Sequence, residues 1–128
     1  MLKYGIKARD AEAYEAAEPY KRTIAILIDK KTMNAQNLIM GLGEMEPGKQ
    51  IKPHVHEVEE EAYWILSGKG VAIIGEEKFE VEPEMSIFVP PKTMHQIINT
   101  GNTPLRWLWV MAPPGSVADQ IRGMKRVK

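Results

Sequence analysis

From residue 20 onward the apolar stretches are short. Each is cut off by a glycine, proline or Thr-Gly-Asn turn signal before it reaches helical length. Residues 20–29 alternate at Ile24, Ile26 and Ile28, with Ala25 and Leu27 making the opposite face apolar as well. That pattern predicts a strand covered on both sides and suggests pairing with a second subunit. Further strands are expected over residues 37–46, loosened by Gly41 and Gly43, and over 50–56, 61–67, 71–74, 78–81, 86–89, 95–99 and 105–111. Pro47-Gly48, Pro90-Pro91, the TGNTP turn and Pro113-Pro114-Gly115 punctuate them. So many short strands, with no long amphipathic helix, predict a compact all-β sandwich or barrel. Only the ends read otherwise. Residues 8–18, rich in Ala and Glu, are expected to form a short helix closed by Pro19, and residues 116–128 a short helix with a basic tail.

A chain of 128 residues is expected to form one domain, here residues 1–128. Lys and Arg balance Asp and Glu at 17 each, so no basic field points to nucleic acid. No apolar run is long enough to span a membrane. The N-terminal stretch lacks the apolar centre of a signal peptide, so a cytoplasmic setting is expected. The absence of cysteine removes disulfides, thiolate nucleophiles and sulfur-ligated metals together, leaving nitrogen and oxygen as ligands for any ion.

The sequence holds three histidines. His54 and His56 stand two apart, so on a strand both project from one face, shared by parity with Gln50 and Lys52 and opposed by Val55. Glu61 ends an acidic run and opens a strand carrying Tyr63 and Ile65 on the same face. His95 opens another, with Ile97 and Asn99. Three imidazoles and a carboxylate suit Fe, Mn, Ni, Co or Zn rather than Ca. Each part has a plainer competitor when taken alone. A His-x-His pair or a single His95 is more often structural, and Glu57, Glu59, Glu60 and Glu61 could be a solvated charge run.

The arrangement Gly-x5-His-x-His-x4-Glu-x6-Gly, from Gly48 to Gly68, resembles the first motif of the cupin superfamily at every fixed position. The second motif, Gly-x5-Pro-x-Gly-x2-His-x3-Asn, is met by Pro90, His95 and Asn99. Glu84 and Lys92 stand where its glycines would be, which puts the local loop geometry in question. The resemblance implies a double-stranded β-helix (jelly roll), with a barrel core over about residues 35–112 and short terminal helical segments. It implies one divalent transition-metal ion held by His54, His56, Glu61 and His95. Glu60 is the alternative carboxylate, although only Glu61 keeps the six-residue step to Gly68.

The germin, oxalate decarboxylase, quercetin dioxygenase and sugar-isomerase branches use such a site. A metalloenzyme acting on a small oxygenated substrate is therefore implied, with dioxygenase or oxidoreductase chemistry favoured over decarboxylation or isomerisation. The alternative is a non-catalytic module holding an anionic ligand on the metal. A homodimer is expected, without nucleic-acid or membrane partners. Lys52 and Gln50 are candidates to hold a substrate carboxylate, and Tyr63 to orient a ligand or donate a proton. Trp107 and Trp109 are read as inward-facing, Asn99 as a structural hydrogen-bonder, and Met40, Met85, Met94 and Met111 as adaptable core filling.

Overall fold

The computed structural model describes residues 2–128. Its strands are β1 (Ala13–Ala16), β2 (Arg22–Ile28), β3 (Ile39–Met45), β4 (Glu60–Ser67), β5 (Gly70–Ile74), β6 (Glu77–Val81), β7 (Ser86–Val89), β8 (His95–Ile98), β9 (Leu105–Ala112) and β10 (Lys125–Arg126). Two short helices, α1 (Lys30–Met33) and α2 (Val117–Arg122), complete the chain with one 3-10 turn, Ala8–Asp10. The strands form a seven-stranded sheet, β10-β1-β2-β3-β9-β4-β7, and a three-stranded sheet, β6-β5-β8. Ile26, Ile39, Ile65 and Trp107 of the larger sheet share one core with Ala72, Val81 and Ile97 of the smaller. The all-β class expected from the turn pattern, and the jelly roll implied by the resemblance, are the observed architecture.

Strict alternation sorts the faces. On β4, Glu61, Tyr63 and Ile65 are buried while Ala62, Trp64 and Leu66 are exposed. The glycines of β3 mark close approach rather than looseness. A Cβ on Gly43 would lie 2.3 Å from Cε2 of Trp107, and one on Gly41 would lie 2.4 Å from Cζ2 of Trp109. The two indoles lie across β3 because these residues have no side chain, and both rings are buried.

Several expectations are corrected. The helix over residues 8–18 shrinks to the 3-10 turn, and β1 takes the rest. An isolated helix of that length is marginal. The extended alternative buries Ala13, Tyr14 and Ala16 and pairs Ala13 with Ala25 and Ala16 with Arg22. The basic tail becomes β10, whose Arg126 and Lys125 face Tyr14 and Glu15 of β1. Both edges of β2 are therefore occupied within the chain, by β1 and β3, and no edge of β2 is open to a second subunit.

Residues 50–56 do not form a regular strand. Pro53 has no N–H for the ladder, and only the bridges Gln50–Ile98 and His54–His95 survive. Among the methionines, Met111 is buried and Met85 packs against the core, whereas Met94 is 52% exposed and Met40 lies on the outer face.

The motif positions lacking glycine keep a glycine-like backbone. Glu84 has φ 66° and Lys92 φ 61°. The Lys92 amide donates to the carbonyl of His56 at 2.7 Å, and that of Glu84 to Ile65 at 2.9 Å. Asn99, fully buried, donates through Nδ2 to the carbonyls of Met45 and Thr103, and its Oδ1 accepts from Gly101 N. It ties the turn after β8 to the end of β3.

Candidate metal centre

His54, His56, Glu61 and His95 come together from three segments, and one ligand atom from each lies within 4.8 Å of all the others. The His54–His95 bridge brings two of the rings to a centroid separation of 4.0 Å. The turn at Lys92 holds His56 by its carbonyl. Glu61 points inward from β4 between Val89 and Met111, while Glu60 points out into solvent. Alternation along β4 thus puts the Glu61 carboxylate, and not that of Glu60, in the cluster.

Backbone contacts set the ring tautomers. Nδ1 of His54 lies 2.7 Å from the carbonyl of Lys52, and Nδ1 of His95 lies 3.1 Å from that of Thr93. A carbonyl only accepts, so both Nδ1 atoms are assigned a proton, which turns both Nε2 atoms toward the cluster. Nε2 of His95 stands 3.2 Å from Glu61 Oε1. Nε2 of His56 stands 3.4 Å from the same oxygen, buried and without a hydrogen bond. Protons on the ring nitrogens or a cation among them would satisfy these contacts. Three nitrogen donors, a carboxylate and orienting backbone contacts to two imidazoles fit a divalent transition metal. Tyr63 Oη donates to Glu61 Oε1 at 2.9 Å and fixes the carboxylate from behind.

Burial holds the His54 imidazole down to about 4, with His95 adding to the effect, so it is a neutral donor at physiological pH. Glu61 raises the pKa of His56 against the opposing effect of burial. Burial favours protonating Glu61 itself, but His56, His95 and Tyr63 overcome it and hold the carboxyl at about 2. Burial, with Glu61 beside it, pushes the Tyr63 phenol well above its ordinary range, so Tyr63 remains a hydrogen-bond donor.

The cluster adjoins a cavity of about 260 Å³. His54, His56, Glu61 and Tyr63 line it, with an apolar wall from Ile24, Ile51, Trp107, Trp109 and Met111. His95 is fully buried, outside the cavity wall. Lys52, exposed, contributes to the wall, whereas Gln50 does not; its side-chain oxygen accepts from Gln96 Nε2 instead. Two contributors escaped the sequence reading. The C-terminal segment supplies Val117, Gln120, Ile121 and Met124, and β2 supplies Arg22. The available signal for Arg22 was parity, since it shares the inward face of Ile24 and Ile26.

Residues 41–111 match the family model described as Cupin domain. An oxalate-binding protein from Thermotoga maritima is 32% identical over 69% of this chain and 73% of its own length. An uncharacterized protein from Methanocaldococcus jannaschii is 44% identical over 56% of this chain, and the match spans 58% of that relative. Among solved structures, a predicted oxalate decarboxylase from Thermotoga maritima superposes with a TM-score of 0.78 at 25% identity, covering 88% of this chain and 99% of that one.

Proposed function

This chain belongs to the cupin domain family, and from that premise we propose that His54, His56, Glu61 and His95 hold one divalent transition-metal ion that binds a small oxygenated organic substrate. The observation that carries the reading is the convergence of three imidazoles and one low-pKa carboxylate within 4.8 Å, beside a largely apolar cavity.

A bound ion would supply Lewis acidity and, if redox-active, an electron relay to dioxygen. The protein's own groups do the rest. Tyr63 keeps Glu61 oriented, the carbonyls of Lys52 and Thr93 keep His54 and His95 in one tautomer, and the apolar wall limits competing water. Oxidation or oxygenation is the favoured chemistry, with decarboxylation and isomerisation open to the same ligand set.

Metal analysis of the purified protein tests the reading. One transition-metal ion per chain, removable by chelator and restored by readdition, is expected. Protein that neither carries nor takes up such an ion refutes it.

A second reading is a binding module without turnover. Its support is that Tyr63, the candidate proton donor, is committed to Glu61 and buried, and that the Thermotoga relative is described as oxalate-binding. Saturable binding of oxalate to the metal-loaded protein, with no product on prolonged incubation in air, would favour the module; product formation favours the enzyme.

A further inference from the structure

We propose that Arg22 is the ligand-orienting residue of this cavity, its guanidinium holding the carboxylate of an organic acid with a ring-sized apolar body, while a neighbouring oxygen of that acid faces the three-histidine, one-glutamate cluster. The proposal rests on the metal-site reading above and names the ligand class for it.

Arg22 opens β2 on its inward face and lines the cavity together with His54, Glu61 and Tyr63. It lies outside residues 41–111, so nothing in the family match accounts for it. Its one hydrogen bond to protein runs from a terminal nitrogen to the carbonyl of Tyr20 at 3.2 Å, and none of the ion pairs among the described residues includes it. A guanidinium has five N–H donors in a planar fork. Four of these have no protein acceptor.

The contrast with Arg122 is informative. That arginine is also largely buried, and it is paired at 2.6 Å with both Glu12 and Asp29. The chain neutralises its structural arginine and leaves the cavity arginine free. Removing a cation from water without a counter-charge is costly, and an anionic ligand would offset that cost.

Charge and shape then define the ligand. A divalent ion with one carboxylate and neutral imidazoles leaves a local excess of positive charge, and Arg22 adds to it. The nearest acid, Glu61, is taken up by the cluster and Tyr63. Apart from the exposed Lys52 and from Gln120, the rest of the wall is largely aromatic or aliphatic. An apolar cavity of about 150 Å³ takes a benzene ring, so about 260 Å³ accommodates a ring with a short oxygenated acid group. A 2-oxo or 2-hydroxy acid places its carboxylate and second oxygen on adjacent carbons, suited to Arg22 and the cluster together.

The test is calorimetric titration of the metal-loaded protein with benzoylformate, its methyl ester and oxalate. Wild type is compared with Arg22→Gln and Arg22→Lys, and metal content is measured on the same samples. Arg22→Gln is expected to weaken benzoylformate about tenfold to hundredfold, with metal content unchanged. Arg22→Lys is expected to recover part of that loss, because charge is kept and the fork is lost. The ester should bind weakly to all three proteins. Equal benzoylformate affinity in wild type and Arg22→Gln, both carrying metal, would overturn the role of Arg22. No saturable binding to wild type at millimolar concentration, or tighter binding of oxalate than of benzoylformate, would overturn the ring-bearing acid. Wild type lacking metal would overturn the underlying metal reading instead.

Discussion

Nε2 of His95 stands 3.2 Å from Oε1 of Glu61, although the proton of that imidazole is assigned to Nδ1, beside the carbonyl of Thr93. On the proposed metal reading a cation between the two groups makes this contact favourable, and the negative charge of Glu61 then carries much of the ion's binding. Glu61→Gln keeps the shape and removes the charge. It is expected to weaken metal binding at least about a hundredfold, and Tyr63→Phe, which removes only the orienting hydrogen bond, about tenfold. Metal titrations of the two variants check this; a Glu61→Gln protein that binds metal like wild type contradicts it.

Gly43 lies under the Trp107 ring, with room for hydrogen only. Gly43→Ala is expected to destabilise the protein by about 1–3 kcal/mol and to change tryptophan fluorescence, because the indole must leave its place in the cavity wall. Urea unfolding followed by fluorescence measures both effects, and an unchanged midpoint and spectrum would contradict the close packing of Trp107 on Gly43.

Glu84 and Lys92 adopt left-handed backbone conformations without being glycine. Glycine relieves steric strain there and gains unfolded-state entropy, with the first effect larger. Glu84→Gly is expected to raise stability by about 0.5–1 kcal/mol. Thermal melts check the sign.

Arg122 links α2 to Glu12, just before β1, and to Asp29 at the end of β2, with Asp29 only 3% exposed. Burial favours protonating both acids, but the Arg122 hydrogen bond and charge, aided by Thr32 at Asp29 and by Tyr14 and Lys31 at Glu12, hold their pKa values below the ordinary range. A carboxyl depressed in the folded state adds stability above its unfolded pKa, near about 4, and loses it as pH falls through the folded value. Stability should therefore drop below about pH 4. Arg122→Ala should cost about 3 kcal/mol at neutral pH by leaving Asp29 buried and unpaired, and should flatten that acid-side slope. Urea titrations between pH 3 and pH 7 test both statements.

The outer face of the seven-stranded sheet carries a continuous apolar row. Phe88, Ala62, Val110 and Met40 are successive cross-strand neighbours, and Trp64 and Leu108 lie in the next row. Phe88 is 55% exposed, Trp64 42% and Leu66 40%. With β2 closed at both edges, a homodimer is predicted to form through this face. Light scattering should give twice the chain mass for wild type and the single mass for Trp64→Glu; a monomeric wild type refutes the assignment.

Most strands were legible in the sequence because their apolar runs are short and are cut off by glycine, proline or turn residues. The ends were not. The Ala and Glu content of residues 8–18 favours a helix locally, yet β2 needs a partner along its edge, and pairing outweighs propensity. His54, His56, Glu61 and His95 could be picked out through spacing, and the choice between Glu61 and Glu60 follows from parity along β4. Arg22 was hidden because a charge opening an apolar strand reads as a solvated end. Gln50 was misplaced because Pro53 breaks the ladder on which its parity was counted.

The pairing of β1 with β10 joins Glu15 to Lys125, and Arg122 meets Glu12 across a separation of 110 residues. The C-terminal wall of the cavity is fastened by these contacts between distant parts of the chain. Such contacts bring little stability until the intervening chain has collapsed, so closure of the cavity belongs late on the folding path, and folding falls in the millisecond-to-second regime of non-local β topologies. The cluster of His54, His56, Glu61 and His95 spans far less of the chain and can assemble before the cavity beside it closes.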